Sequence, residues 1–194
     1  MPSFHEGYTE YCKEVGEKLI KEFQNDRYIV SPGGSCVNMI KNYYPEMFHN
    51  SVLHNEYKHV QKKIYELSDF IVNVIEKQRI ESEFSGKVCY VDNCSALREL
   101  NIKTPPRTLL SNIDGVTLLE PVDSDTCCGF GGTLASNFED IATKLAEKKT
   151  EHILQTGAEY VVSTDISCLM HLEGYCRKHS IPLKFMHLAE VLAA

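Results

Sequence analysis

From residue 86 to the C-terminus, short apolar runs alternate with helical periodicities, and this alternation constrains the fold more than any other feature. Residues 87–91, 116–119, 159–163 and 183–186 read as strands. Between them, 96–100 reads as a short helix, and Pro105-Pro106 opens another through Leu109 and Leu110. Leu134, Phe138, Ile141, Leu145 and Ile153 mark one long amphipathic helix ending at Gly157. Helices over 167–179 and 187–192 complete the series. A parallel connection needs a crossover, so the alternation predicts an α/β fold: a parallel sheet with helices on both faces.

The first half carries a weaker version of the same pattern. Tyr8, Cys12, Val15, Leu19 and Phe23 lie at helical spacing, and 28–30 reads as a strand. Pro32-Gly33-Gly34 breaks the chain, and Ser35 is placed to cap a short helix through Met39 and Ile40. Tyr57, Val60, Ile64, Leu67, Ile71 and Val74 predict one long helix over 54–78. An internal repeat links the halves: Tyr28-Ile29-Val30-Ser31 and Ser35-Cys36 recur as Tyr160-Val161-Val162-Ser163 and Ser167-Cys168, at a constant offset of 132.

The chain holds eight cysteines. Its start lacks a basic region followed by an apolar one, which predicts a cytoplasmic protein. In a reducing compartment eight cysteines point to metal or redox chemistry rather than disulfides; the bland alternative is a set of small buried hydrophobes. Thr126-Cys127-Cys128-Gly129-Phe130-Gly131-Gly132 is the densest feature. Its glycines allow the positive φ that a loop around a cofactor needs. Adjacent cysteines tend to diverge, so they suit two irons of one cluster better than one tetrahedral ion.

Cys94, Cys127-Cys128 and Cys168 each follow a different predicted strand, with 32 and 39 residues between them. In an open parallel sheet ligands bind beyond the carboxyl ends of strands, so these four should converge, with Cys36 apart. Four scattered thiolates suit a soft metal centre. A zinc site would use close CxxC pairs, and a vicinal dithiol would leave Cys94 and Cys168 without a role. His171, one helical turn after Cys168, can reach such a centre as a ligand or as a donor to one. Arg98, one turn after Cys94, can offset thiolate charge. Cys89 reads as buried mid-strand, and Cys12 and Cys176 as helix-packing residues.

Asp92-Asn93-Cys94, Arg98-Glu99-Leu100, Asp125-Thr126-Cys127-Cys128-Gly129-Phe130-Gly131-Gly132-Thr133 and Ser167-Cys168-Leu169-Met170-His171 resemble the cysteine-rich CCG domain. That domain occurs in heterodisulfide reductase, in the glycolate oxidase iron–sulfur subunit and in the lactate-utilisation iron–sulfur protein. The last is the nearest resemblance. Ser31-Pro32-Gly33-Gly34-Ser35-Cys36, Tyr44-Pro45-Glu46-Met47-Phe48, Tyr65-Glu66-Leu67-Ser68-Asp69-Phe70 and Met186-His187-Leu188-Ala189-Glu190-Val191-Leu192 carry it across the whole chain. Two departures stand out: the relatives' final CxxC is Cys168-Leu169-Met170-His171 here, and Ser95 replaces a common His.

The resemblance implies two Rossmann-like repeats, 1–84 and 85–194, and a [4Fe–4S]-type cluster, non-cubane in the family. Cys94, Cys127, Cys128 and Cys168 are its implied ligands, with His171 and Cys36 as further cofactor-binding candidates. Exposed clusters oxidise readily, so an aerobic sample can lose it. Projecting the repeat backwards puts a first cysteine pair ahead of Met1, which predicts a first repeat shortened at its N-terminus, with a depleted sheet and an exposed apolar face. The implied role is an electron-carrying subunit of a lactate- or other 2-hydroxy-acid-oxidising complex, with a ferredoxin-like iron–sulfur partner. Alternatives are a partner-binding subunit with a degenerate site and a thiol/disulfide-active subunit of the heterodisulfide reductase type. A formal charge of −7 without a basic cluster excludes nucleic acid as a partner, and no apolar run is long enough to span a bilayer.

Overall fold

The computed structural model describes residues 2–194. Six strands form two parallel sheets: β1 (Ile29–Ser31) pairs with β2 (Ile64–Glu66), and β3 (Gly86–Tyr90), β4 (Val116–Leu119), β5 (Tyr160–Ser163) and β6 (Lys184–His187) form a four-stranded sheet ordered β4-β3-β5-β6. This is the α/β architecture that the alternation predicts. In β3 alternate residues enter opposite layers. Val88 and Tyr90 pack with Leu109 and Leu110 of helix Thr104–Ser111 and with Leu188 and Val191 of helix Leu188–Leu192. Cys89 and Val91 pack on the other face with Ala146 and Ile153 of helix Glu139–Gln155 and Leu172 of helix Ile166–Lys178. Val88, Val161 and Val162 are fully buried, each contributing roughly 1.5–3 kcal/mol by leaving water.

The strand order carries the function. From β3 the chain steps to β4 on one side and returns to β5 on the other, so the order reverses between β3 and β5. Crevices open at such a switch point, beyond the carboxyl ends of the strands. Among the described residues no helix is long and apolar enough to cross a membrane.

Three expectations need correction. The helix predicted over 54–78 is broken: His54–Lys63 is helical, Ile64 turns extended at φ −90° and ψ 133°, and only Leu67–Asp69 and a π-helical turn Phe70–Val74 follow. Ile64 belongs to the apolar stripe and is buried in the strand, so the pattern alone does not separate helix from strand here. Parallel pairing of Ile64 with Ile29 and capping by Glu66 decide against the helix. The helix predicted from Leu134 to Gly157 breaks at Phe138, at φ −140°, into Leu134–Asn137 and Glu139–Gln155. Ser35 is not a cap: helix Gly34–Asn38 starts from Gly33, with no side-chain cap.

The first half has its own core of Ile20, Val37, Phe48, Tyr57, Val60 and Ile64. Its long helix Thr9–Phe23 leaves Tyr11 and Val15 exposed, and Val30 of β1 is exposed as well. Helix Gly34–Asn38 leans on the turn Ser95–Glu99 so closely that a Cβ on Gly34 would lie 2.6 Å from the Ala96 Cβ. Overpacking of this kind costs about 1–3 kcal/mol. Gly34→Val should therefore lower the urea midpoint by an equivalent amount; a variant that melts like the parent would mean that this approach is not tightly packed.

Glu66 is 1% exposed, and its carboxylate accepts hydrogen bonds from the Ser68 and Asp69 amides and the Ser68 hydroxyl. Its second oxygen has no hydrogen-bond partner among the described residues. Burial raises its pKa above the ordinary 4.5, outweighing those hydrogen bonds. A carboxyl with a raised folded pKa favours folding while protonated. Stability therefore falls as pH rises from 4.5 through the folded value, and stays lower beyond it. Glu66→Gln removes this titration. Urea midpoints at acidic and neutral pH should decline less in the variant than in the parent, and equal declines would refute the assignment.

Candidate metal centre

The three cysteine-bearing strand ends are neighbours because β3 lies between β4 and β5. Beyond β3 the chain runs through buried Asp92 and Asn93 to Cys94. The Asn93 Oδ1 accepts from the Ala96 amide at 2.7 Å, which starts the turn that presents Cys94. The Asn93 amide also donates to Asp165, whose other carboxylate oxygen accepts from the Ser167 and Cys168 amides at 2.9 and 3.2 Å. Asp165 thus caps helix Ile166–Lys178 and fixes Cys168 in its first turn. One side-chain bridge ties the Cys94 turn to the Cys168 helix.

The loop after β4 carries the cysteine pair. Gly129, at φ +97°, turns it; a Cβ there would lie 2.5 Å from the Ala142 carbonyl oxygen. The Gly129 amide donates to the Cys127 sulfur at 3.4 Å. The loop is held from both sides. Arg98 donates to the Asp125 carbonyl at 2.9 Å, and the buried Lys149 donates to the Ser124 carbonyl at 2.7 Å. Arg107 forks bidentately onto Asp92 at 2.8 and 2.6 Å, holds Glu120 at 2.7 Å and lies over the Tyr90 ring. It pins the end of β3 to the end of β4.

The four sulfurs form one chain. Cys94 contacts Cys127, Cys127 contacts Cys128, and the Cys128 and Cys168 sulfurs lie 2.8 Å apart. The adjacent pair therefore does not diverge as expected. Hydrogen bonds from the Cys128 and Cys94 thiols draw Cys127 well below the usual thiol range, and the Gly129 amide and Arg98 add to this. Cys128 is pushed up by the same contacts with Cys127 and Cys168 and by burial, and Cys94 by its contact with Cys127 and by burial. Four thiols so close cannot all ionise unless a cation joins them.

These sulfurs line a cavity of about 630 Å³, whose other wall includes Cys12, Cys36, Met39 and Tyr44 from the first half. Cys36 was expected apart; it is exposed but shares this cavity, because Gly34 brings its helix against the turn after Cys94. Cys12, read as a helix-packing residue, also lines the cavity while packing on the first core. His171 lies behind the loop instead: its Nε2 donates to the Ala142 carbonyl at 3.2 Å, and its ring meets Phe130 edge-on. Cys89 is buried and its thiol is pushed up to about 12 by burial, and Cys176 is buried beside Thr150.

Among the described residues no three His, Cys, Asp or Glu side chains are spaced to hold a single metal ion. The donor set fits an iron–sulfur cluster instead. Its donors are four soft thiols lining one cavity, so close together that a cation is needed for all four to ionise. Sequence reasoning missed Asn93, Asp165, Arg107 and Lys149. Only Asp165 left a signal, as a capping residue two places before Ser167.

Residues 88–173 match the cysteine-rich domain family, CCG. The chain is 36% identical over 192 residues to lactate utilization protein A of Lysinibacillus sphaericus (strain C3-41), covering 98% of this chain and 84% of that protein. It is 37% identical over 193 residues to lactate utilization protein A 2 of Bacillus cereus (strain Q1), covering 99% and 80%. Lactate utilization protein A 1 of Bacillus anthracis (strain CDC 684 / NRRL 3495) matches at 36%, with 99% and 80% covered. The cysteine loop, the strand-end thiols and these likenesses over nearly all of this chain agree: the chain belongs to the lactate utilization protein A family of CCG cysteine-rich proteins.

Proposed function

We propose that the chain is an iron–sulfur subunit that carries electrons in a cytoplasmic lactate-oxidising complex, alongside other subunits that include a ferredoxin-like protein. We divide it into repeats at 1–84 and 85–194, with the second holding the cluster. The observation that carries the reading is the gathering of Cys94, Cys127, Cys128 and Cys168 at the sheet's switch point. The names of the relatives support the choice of lactate.

In this reading the four thiolates bind a [4Fe–4S]-type cluster, which supplies one-electron transfer when bound. The protein's part is to hold and screen it. Asp165 and Asn93 set the two strand-end cysteines, Gly129 lets the pair wrap, and Arg98 offsets thiolate charge. Phe130, Met39, Ile40 and Leu19 give the cavity apolar walls. Cys36 and Cys12 offer further sulfurs from the first half, and His171 supports the loop from behind.

Anaerobic purification or reconstitution should give iron and acid-labile sulfide in equal amounts and a brown protein. Cys128→Ser should abolish both. Zinc without sulfide, or iron retained in that variant, would overturn the reading. A second reading rests on the 2.8 Å approach of Cys128 and Cys168. If the chain works as a dithiol, these two thiols exchange with an external disulfide, which takes up their two electrons and two protons and leaves as two thiols, so that a reversible Cys128–Cys168 disulfide forms with no iron present. Iron-free protein that cycles between two and no titratable thiols here would favour it.

A further inference from the structure

Lys149 lies inside helix Glu139–Gln155 with no exposed surface. Burying an ammonium is costly unless an anion or good acceptors face it. Lys149 has two backbone acceptors, Ser124 O at 2.7 Å and Asp123 O at 3.5 Å, and no carboxylate in ion-pair reach among the described residues. Its neighbour Lys148 pairs with Asp123 at the surface at 3.7 Å. The helix therefore grips the same loop twice, once in water and once in the core.

The groups within Coulombic reach of Lys149 are Asp92, Cys89, Cys128 and Cys94. Asp92, the foremost of these, is shared with the bidentate Arg107, which also holds Glu120. The Cys89 thiol, pushed up to about 12 by burial, keeps its proton at neutral pH. The Cys128 and Cys94 thiols are pushed up as well while no metal binds them; as ligands of a bound centre they would be the thiolates that this cation can serve. Burial lowers the Lys149 pKa and these neighbours oppose that, so ligated thiolates would favour its charged form.

We propose that Lys149 is a positioning residue for the cysteine centre: it clamps the loop carrying Cys127 and Cys128 through the Ser124 carbonyl and supplies a fixed buried positive charge to the thiolates. This inference rests on the cluster reading above and extends it to the electrostatics of the site. A fixed positive charge favours the more negative, reduced state of a bound centre and so raises the midpoint potential, whereas the clamp on the Ser124 carbonyl holds the loop and strengthens retention of the metal.

The test compares the parent chain, Lys149→Met, Lys149→Gln and Lys148→Met, each reconstituted anaerobically with ferrous iron and sulfide. Circular-dichroism melts check folding. Iron release to a chelator and midpoint potential by spectroscopic titration are then read. Lys149→Met should release iron several-fold faster and have a lower potential. Lys149→Gln, which keeps a donor for the Ser124 carbonyl, should recover retention but not potential. Lys148→Met should match the parent in both. A folded Lys149→Met with parental retention and potential overturns the proposal. If Lys149→Met does not fold, Lys149→Gln decides alone: a parental potential overturns the proposal and a lowered one supports it. A parent chain that takes up no iron or sulfide overturns the cluster reading and this inference together. That result is distinct from a loaded parent that is indifferent to Lys149.

Discussion

The hydrogen bond from Asn93 to Asp165 joins the carboxyl ends of two adjacent parallel strands, and the site depends on it. Each partner has a local task as well: Asn93 starts the turn after Cys94, and Asp165 caps the helix that begins with Cys168. Both residues are buried, so an unpaired polar group at either place would cost roughly 1–3 kcal/mol. The bridge therefore couples the positions of two cysteines that are far apart in sequence. Parallel pairing brings the strand ends together; the Asn–Asp bridge fixes the angle at which their cysteines leave the sheet.

Charge sets the second constraint. Gathering four thiols in a low-dielectric crevice favours protons or metal over free thiolates. The protein places Arg98 at the outer side of the cysteine loop and Lys149 beneath it, while Arg107 is already engaged by Asp92 and Glu120. The cations thus fall into two classes. Arg107 staples strand ends, and Arg98 and Lys149 hold the loop by backbone carbonyls, leaving their charge available to sulfur. Cys127 is drawn down chiefly by hydrogen bonds from Cys128 and Cys94, with Arg98 a lesser aid, whereas burial drives Cys89 up against the pull of Lys149 and Arg107.

Much of this was legible in the sequence, for reasons that can be named. Strands β3 to β6 were read within one or two residues because both faces of the sheet are buried and their apolar runs are bounded by clear helix signals. The convergence of Cys94, Cys127, Cys128 and Cys168 followed from strand ends alone. The reading failed where one pattern fits two structures: Ile64 satisfies the helical stripe and the β2 pairing equally, and only the partner strand, distant in sequence, discriminates. Cys36 was misplaced because its position depends on a glycine-to-alanine approach between halves, which no local pattern encodes. Lys149 stands in a largely polar helix sequence, and its burial follows from the path of the loop after β4.

The internal repeat explains which cysteine became central. Ser31 and Ser163, at the 132-residue offset, make the same turn: each hydroxyl accepts from the amide two residues on, Gly33 at 3.4 Å and Asp165 at 3.2 Å. Each strand then pairs in parallel with the next strand of its own sheet, β1 with β2 and β5 with β6. The copies part at the position after the turn. Asp165 caps its helix and buries Cys168 against β5, whereas Gly33 offers no side chain, so the Cys36 helix is uncapped and Cys36 is exposed. Gly33-Gly34 in turn permits the close approach to Ala96 that carries Cys36 to the shared cavity. One copy uses its capping position to hold a thiol rigidly within the sulfur chain. The other gives up the cap for close packing and brings its thiol to the wall of the same cavity, free of hydrogen bonds to the other four sulfurs.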